Sequence, residues 1–279
     1  MFKLLTVLIL FALGTSSCIW AQSASQLEAQ LGKGDKKKRK NWGLSLSSTT
    51  VSSVKELDAY GSTLNTSLST TFRYKTPYFN TRFFIAADKD LVGAREDRLT
   101  SAFFEISKTV GALTNSDIIT IFQGRYNFAV NQDRRFDQSY QGGLTAGLLV
   151  IGKLPHPDYQ LIFITRAVKN FHEYKIDRNF NKNTSLSNSN TAILSYSPFN
   201  KWEFSAYASF VSYWNYDGDV KDSYYTLGQS VSYIPSPKYN FSLGHESGGF
   251  TYGHYGNNLD LSLLDTNSST IYGTLTLNF

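Results

Sequence analysis

The chain ends on Thr270-Ile271-Tyr272-Gly273-Thr274-Leu275-Thr276-Leu277-Asn278-Phe279, and the reading of this stretch decides the fold. Ile271, Gly273, Leu275, Leu277 and Phe279 share one parity, while Thr270, Tyr272, Thr274, Thr276 and Asn278 share the other. Successive side chains of a strand point to opposite faces, so the pattern predicts a strand with one apolar and one polar face. The same period of two recurs upstream. Trp202, Phe204, Ala206, Ala208 and Phe210 alternate with Glu203, Ser205, Tyr207 and Ser209. Leu64, Leu68, Phe72 and Tyr74 oppose Asn65, Ser67, Ser69 and Arg73, and Phe79, Phe83, Ile85 and Ala87 oppose Asn80, Arg82 and Asp88. Composition agrees: 18 Tyr and 20 Phe against a single Met, with Ser and Thr throughout, are residues that suit a pleated surface.

Between the alternating stretches lie two kinds of connection. Short ones occupy residues 75–80, 113–117, 153–158, 197–201 and 234–238, and four of them contain Pro. Longer polar ones lie near 52–60, 88–98, 131–138, 171–185, 214–222 and 251–268. Five short and six long connections alternate, which joins twelve strands. Three Pro-containing turns run on into an aromatic residue: Pro157 before Tyr159, Pro198 before Trp202 and Pro237 before Tyr239. Rings at those positions suit a membrane–water interface.

The N-terminus reads differently. Lys3, an apolar run from Leu4 to Leu13 and small residues up to Ala21 have the layout of a secretory signal peptide over residues 1–21. The run is too short to span a bilayer as a helix. A lipid-bearing Cys18 is the rival, but Thr15, Ser16 and Ser17 ahead of it suit a lipoprotein signal poorly. If Cys18 leaves with the signal, the mature chain has no thiol for a disulfide or a metal. Residues 22–41 carry six Lys or Arg against Glu28 and Asp35; with Lys3 they account for the whole net charge of +5, leaving 42–279 neutral. The basic stretch is expected to be a solvated periplasmic tail, with contact to anionic headgroups as the sharper reading.

A C-terminal strand of this pattern closing on Phe279 resembles the assembly signal of Gram-negative bacterial outer-membrane β-barrels. The resemblance implies an all-β fold, a single antiparallel transmembrane β-barrel over residues 42–279 with short periplasmic turns and longer extracellular loops. It also implies insertion by the barrel-assembly machinery and contact with outer-membrane lipids and lipopolysaccharide. A soluble sandwich or lipocalin-like barrel also alternates, but it turns its polar face outward. The signal, the terminal Phe and the aromatic girdle positions favour the membrane. No nucleic-acid partner and no cofactor are expected.

With the apolar faces toward lipid, Arg73, Arg82, Arg125 and Arg166, together with Glu105, Glu203 and Glu246, point inward. Placing such charges toward the bilayer midplane costs a few kcal/mol. Hairpin arithmetic around residues 114 and 115 sets Glu105 opposite Arg125, an expected ion pair. Around residue 77 it sets Arg73 opposite Arg82, a like-charge contact that calls for an anion between them. The functional reading is a narrow, porin-like channel for small hydrophilic solutes, mildly favouring anions. The plainer reading is that these residues and the many inward Ser, Thr and Asn fill and brace a packed interior.

Enzyme motifs are few. There is no Gly-rich phosphate loop, no His-Glu-x-x-His and no Gly-x-Ser-x-Gly. Asp217-Gly218-Asp219 beside Trp214 and Tyr216 reads as a polar loop tip. In Tyr239–Gly249, His245 and Ser247 share the lipid parity, about 15 to 20 Å above the periplasmic girdle. This His-x-Ser step resembles that of outer-membrane phospholipase A and the lipid A deacylases. The resemblance implies Ser247 as nucleophile, His245 as general base and Gln229, by hairpin register, as the orienting group. The Asn-Gly that follows the step in the phospholipases is Gly248-Gly249 here. An outer-leaflet lipid hydrolase is thus one alternative function, and a non-conducting structural or adhesive barrel working through loops 171–185 and 251–268 is another.

Overall fold

The computed structural model describes residues 41–55, 62–92, 96–112, 118–156, 158–251 and 268–279. The expected signal segment 1–21, the basic stretch apart from Asn41, and loop residues 252–267 lie outside the described residues.

Twelve strands follow in chain order: β1 (Trp42–Ser53), β2 (Leu64–Lys75), β3 (Asn80–Asp90), β4 (Asp97–Ala112), β5 (Ile118–Phe128), β6 (Tyr140–Lys153), β7 (Tyr159–His172), β8 (Thr184–Phe199), β9 (Trp202–Asn215), β10 (Val220–Ser236), β11 (Tyr239–Phe250) and β12 (Thr270–Asn278). Each pairs antiparallel with its sequence neighbours, and β12 returns to β1 to close the barrel. Closure leaves no unpaired strand edge, the condition for a sheet to sit in hydrocarbon. The connections fall where the polar and Pro-containing stretches predict them. One element was not anticipated: the 131–138 loop contains a six-residue helix, α1 (Gln132–Asp137), whose first turn is capped by Asn131 accepting from the Arg134 backbone N–H.

The faces follow the predicted parity. Leu68, Phe72, Phe83, Trp202, Phe204, Phe210, Phe241, Leu243 and Ile271 are exposed on the outside, Leu243 by 64%. An apolar belt of this extent around a closed barrel is a lipid-facing surface.

The seam between the first and last strands is laced from inside. Ser45 Oγ donates to Asn278 Oδ1 at 2.7 Å, Ser47 and Thr276 hydroxyls meet at 2.9 Å, and those of Thr49 and Thr274 at 3.0 Å. Each contact joins residues directly opposite one another in the β1–β12 register. A slip of one strand by one residue would turn its member of each pair to the other face and break all three contacts, so the ladder fixes the closing register.

Candidate functional site

The interior is built rung by rung. Arg73 stands opposite Arg82, Arg82 opposite Glu105, and Glu105 opposite Arg125, so one rung across β2 to β5 carries four charged side chains. The expected Glu105–Arg125 pair forms, with Arg125 donating from Nη2 at 2.7 Å and from Nε at 3.1 Å. Arg82 Nη2 donates to the same oxygen, Oε2, at 2.9 Å. These side chains are buried, with 5% exposure for Glu105 and 9% and 11% for Arg125 and Arg82. Phe103 forms their floor: it lies 3.8 Å under the Arg125 guanidinium carbon and 5.1 Å from that of Arg82, and stacks on Phe84 at 4.9 Å. A ring face favours a cation and fixes the guanidinium plane.

The two like-charged side chains take different protein partners. Arg82 turns to Glu105, while Arg73 Nη1 donates to Ser45 Oγ at 2.9 Å. Arg166 lies one step nearer the short-turn end, opposite Gly147 and reaching Gln123 Oε1 at 3.4 Å. A Cβ on Gly147 would stand 3.1 Å from Arg166 Cγ, so the glycine leaves room for that side chain. Two guanidiniums thus hold the Glu105 carboxylate and two more, Arg73 and Arg166, stand nearby on neutral partners, a formal excess of three positive charges among these five residues.

Below Arg166, toward the short turns, the interior is apolar, which the sequence reading did not foresee. Ile121, Leu149, Ile151, Ile162, Ile164 and Ile193 form a buried cluster on β5 to β8, with Ile119 and Tyr207 packed against it. Its signal was legible as runs without alternation, Ile118–Phe122, Leu148–Ile151 and Leu161–Ile164. Strands apolar on both faces are covered on both faces.

The remaining wall is hydroxylic. Thr191 pairs with Ser209 at 2.8 Å, Ser205 with Ser230 at 2.7 Å and Ser232 with Ser242 at 2.8 Å. These six inward hydroxyls therefore satisfy one another across neighbouring strands. Glu203 is buried on this wall, and Glu246 accepts a hydrogen bond from Tyr207 OH. Tyr207 reaches it by lying across Gly228, where a Cβ would stand 2.3 Å from the ring; Tyr272 lies across Gly244 in the same way, also at 2.3 Å.

Three of the long loops, 131–138, 171–185 and 214–222, are stitched together at the rim. Arg178 N–H donates to Asp137 O, Asn183 Nδ2 to Gln138 O, and Lys182 Nζ to Asp219 at 2.7 Å and Asp217 at 3.0 Å. Hydrogen bonds to Asp219 and Asp217 raise the Lys182 pKa; those from Lys182 and Asn215 hold Asp219 below the ordinary carboxylate value. Asp217-Gly218-Asp219 is thus a tied loop tip, with Gly218 at φ 91°.

The β10–β11 register sets Gln229 directly opposite His245, both on the outward parity. Ser247 keeps that parity as well, but it is 0% exposed, whereas Leu243 on the same face of β11 is 64% exposed. The chain entering β12 lies against it, with Ser268 Oγ 3.5 Å from Ser247 Oγ. No hydrogen bond joins His245 to Ser247 or to Gln229 among the described residues. The three residues are neighbours without the contacts of a relay.

Fold and interior together define the class: a closed, twelve-stranded, membrane-spanning β-barrel of the bacterial outer-membrane type. No protein-family model matches the chain, and no curated protein matches it in sequence. Solved structures match its fold. An outer membrane channel from Pseudomonas putida F1 is similar with a TM-score of 0.58 and 9% identity over 89% of this chain and 99% of that one. The NanC porin is similar with a TM-score of 0.55 and 9% identity over 85% and 98%. At this identity the likeness is one of fold, the closed barrel of outer-membrane proteins, and the lipid-facing belt agrees with that fold.

Proposed function

We propose that the protein is a narrow, porin-like outer-membrane channel for small hydrophilic solutes, mildly favouring anions. One observation carries the reading: Arg73, Arg82, Arg125 and Arg166 stand on the interior face near one carboxylate, Glu105, which accepts from Arg82 and Arg125, while Arg73 donates to Ser45 and Arg166 to Gln123. A low-dielectric wall with excess positive charge concentrates anions in the space it borders. The fold likeness to an outer membrane channel and to a porin supports the same reading. The aliphatic cluster on β5 to β8 fills interior volume and makes the passage narrow. Insertion by the barrel-assembly machinery through the strand ending on Phe279, and seating among outer-membrane lipids and lipopolysaccharide, belong to this reading. Reversal potentials in a KCl gradient test it: Arg166→Gln is expected to lower anion preference relative to the parent, and an unchanged preference would contradict the role given to the Arg wall.

A second reading, a barrel acting through extracellular contacts, is favoured by the rim. Phe180 is 84% exposed and Phe136 58%, beside exposed Tyr174 and Ile176, on loops that hydrogen bonds hold together. Protease shaving of intact cells tests it, since cleavage within 171–185 is expected only if that rim faces outward. The hydrolase alternative has no comparable support, because the Ser247 hydroxyl is covered and unlinked to His245. Ser247→Ala is expected to leave both conductance and lipid turnover unchanged.

A further inference from the structure

We propose that Arg73 and Arg82 form a discrete binding site for one carboxylate- or phosphate-type oxyanion at the periplasmic mouth of the barrel. The inference deepens the anion-favouring reading but does not require the lumen to conduct.

Three observations carry it. First, the two residues are direct cross-strand partners on the interior face, three pairs from the β2–β3 turn: Lys75 opposes Asn80, Tyr74 opposes Thr81, and Arg73 opposes Arg82. Cross-strand Cβ atoms are about 5 Å apart, and like charges so placed repel unless an anion joins them. Second, the donors outnumber the acceptors. A guanidinium is a fork of N–H groups with no acceptor. Here Arg73 spends one donor on Ser45 and Arg82 one on Glu105, and the buried Nε of each finds no protein partner. Glu105 cannot neutralise both, since its Oε2 already serves Arg125. The C-terminal residue lies close by, with Phe279 O 4.0 Å from the position a Gly43 Cβ would take, but it makes no ion pair with Arg73 among the described residues. Third, there is room. The residue opposite Arg73 on β1 is Gly43, on the interior parity, and a Cβ built there meets nothing nearer than that 4.0 Å contact. The rung Gly43–Arg73–Arg82 thus presents two guanidiniums beside a gap in the wall.

The geometry also sets the ligand class. Two forks on paired residues match an anion with two or more oxygens, each fork taking oxygens of its own; a halide, a single point acceptor, lacks the paired oxygens that the bidentate geometry favours. The site lies near the short-turn end, so it is reachable from that side whether or not the middle of the barrel is open.

Inorganic phosphate is the probe. The refolded protein is unfolded thermally across a phosphate series at pH 7 and constant ionic strength, and chloride conductance is recorded in parallel. The melting midpoint of the parent is expected to rise saturably with phosphate. In Arg73→Gln the saturable part should weaken at least tenfold, and Arg73→Lys should fall between the two. Without phosphate, Arg73→Gln should melt no lower than the parent, since it removes the like-charge contact; this shows that the variant folds. An identical phosphate response in parent and Arg73→Gln overturns the site. Conductance without a parent-specific phosphate response removes the site and keeps the channel; a saturable, Arg73-dependent response in a silent barrel keeps the site and removes the channel.

Discussion

Arg82 and Arg125, on strands to either side of β4, donate to the same oxygen of Glu105, so one carboxylate ties three strands together inside the barrel. Removing it leaves two buried guanidiniums facing each other without a counter-charge.

Glu105→Gln is therefore expected to destabilise the barrel by about 3 to 5 kcal/mol, the usual penalty for orphaning a buried charge. A denaturant titration of the refolded protein checks this. Adding Arg82→Gln to Glu105→Gln should restore part of the loss, because it removes one of the orphaned cations. A double variant as unstable as the sum of the two singles would contradict the shared-carboxylate arrangement.

How much of this was legible in the sequence follows from the length of each connection. Across the short turns, counting residues outward from the turn placed Glu105 opposite Arg125 and Arg73 opposite Arg82, and the structure has both registers. Across the longer 88–98 loop the count gave no register. The β3–β4 ladder also shifts between Ala86 and Ala87, so the Arg82–Glu105 contact was not found. The interior aliphatic cluster escaped for another reason: Ile118–Phe122 and Leu161–Ile164 have no parity to read, and alternation was the signal being followed. The Tyr207 to Glu246 bond spans two strands and depends on a side chain lying over Gly228, which no one-dimensional pattern encodes.

That glycine supplies a second prediction. Gly228→Ala places a methyl 2.3 Å from the Tyr207 ring, so the ring must leave Glu246. A loss of about 1 to 3 kcal/mol is expected from overpacking. Tyr207→Ser in the same chain should relieve the clash, and an equal loss in the double variant would mean the ring is not the obstacle. Midpoints of denaturant unfolding decide between them.

The lipid face gives a third. Leu68 is 60% exposed in the middle of β2. Leu68→Arg should cost about 2 to 4 kcal/mol if that position sits near the bilayer midplane, and less if it sits near an interface. Unfolding titrations in lipid vesicles measure it; no cost at all would contradict the assignment of this face to lipid.

At the rim, the Lys182–Asp219 contact is pH-sensitive with a definite sign. Asp219 is held below its ordinary pKa, so its contribution is present above about pH 4 and is lost as the pH falls through the lowered value. Lys182 is raised, so its contribution persists below about pH 10 and is lost as the pH rises through the raised value. Amide protection factors in residues 173–183 and 215–219, the intrinsic exchange rate at each pH divided by the observed one, are expected to fall at acid pH in the parent, and Lys182→Ala should show the low protection already at neutral pH.

The central claim is that the barrel conducts and that its Arg wall sets the preference. Planar-bilayer recording of the refolded protein in a salt gradient tests both at once. Discrete openings with a reversal potential on the anion-selective side are expected. A demonstrably folded barrel that stays silent, or one whose reversal potential favours cations, would contradict that claim.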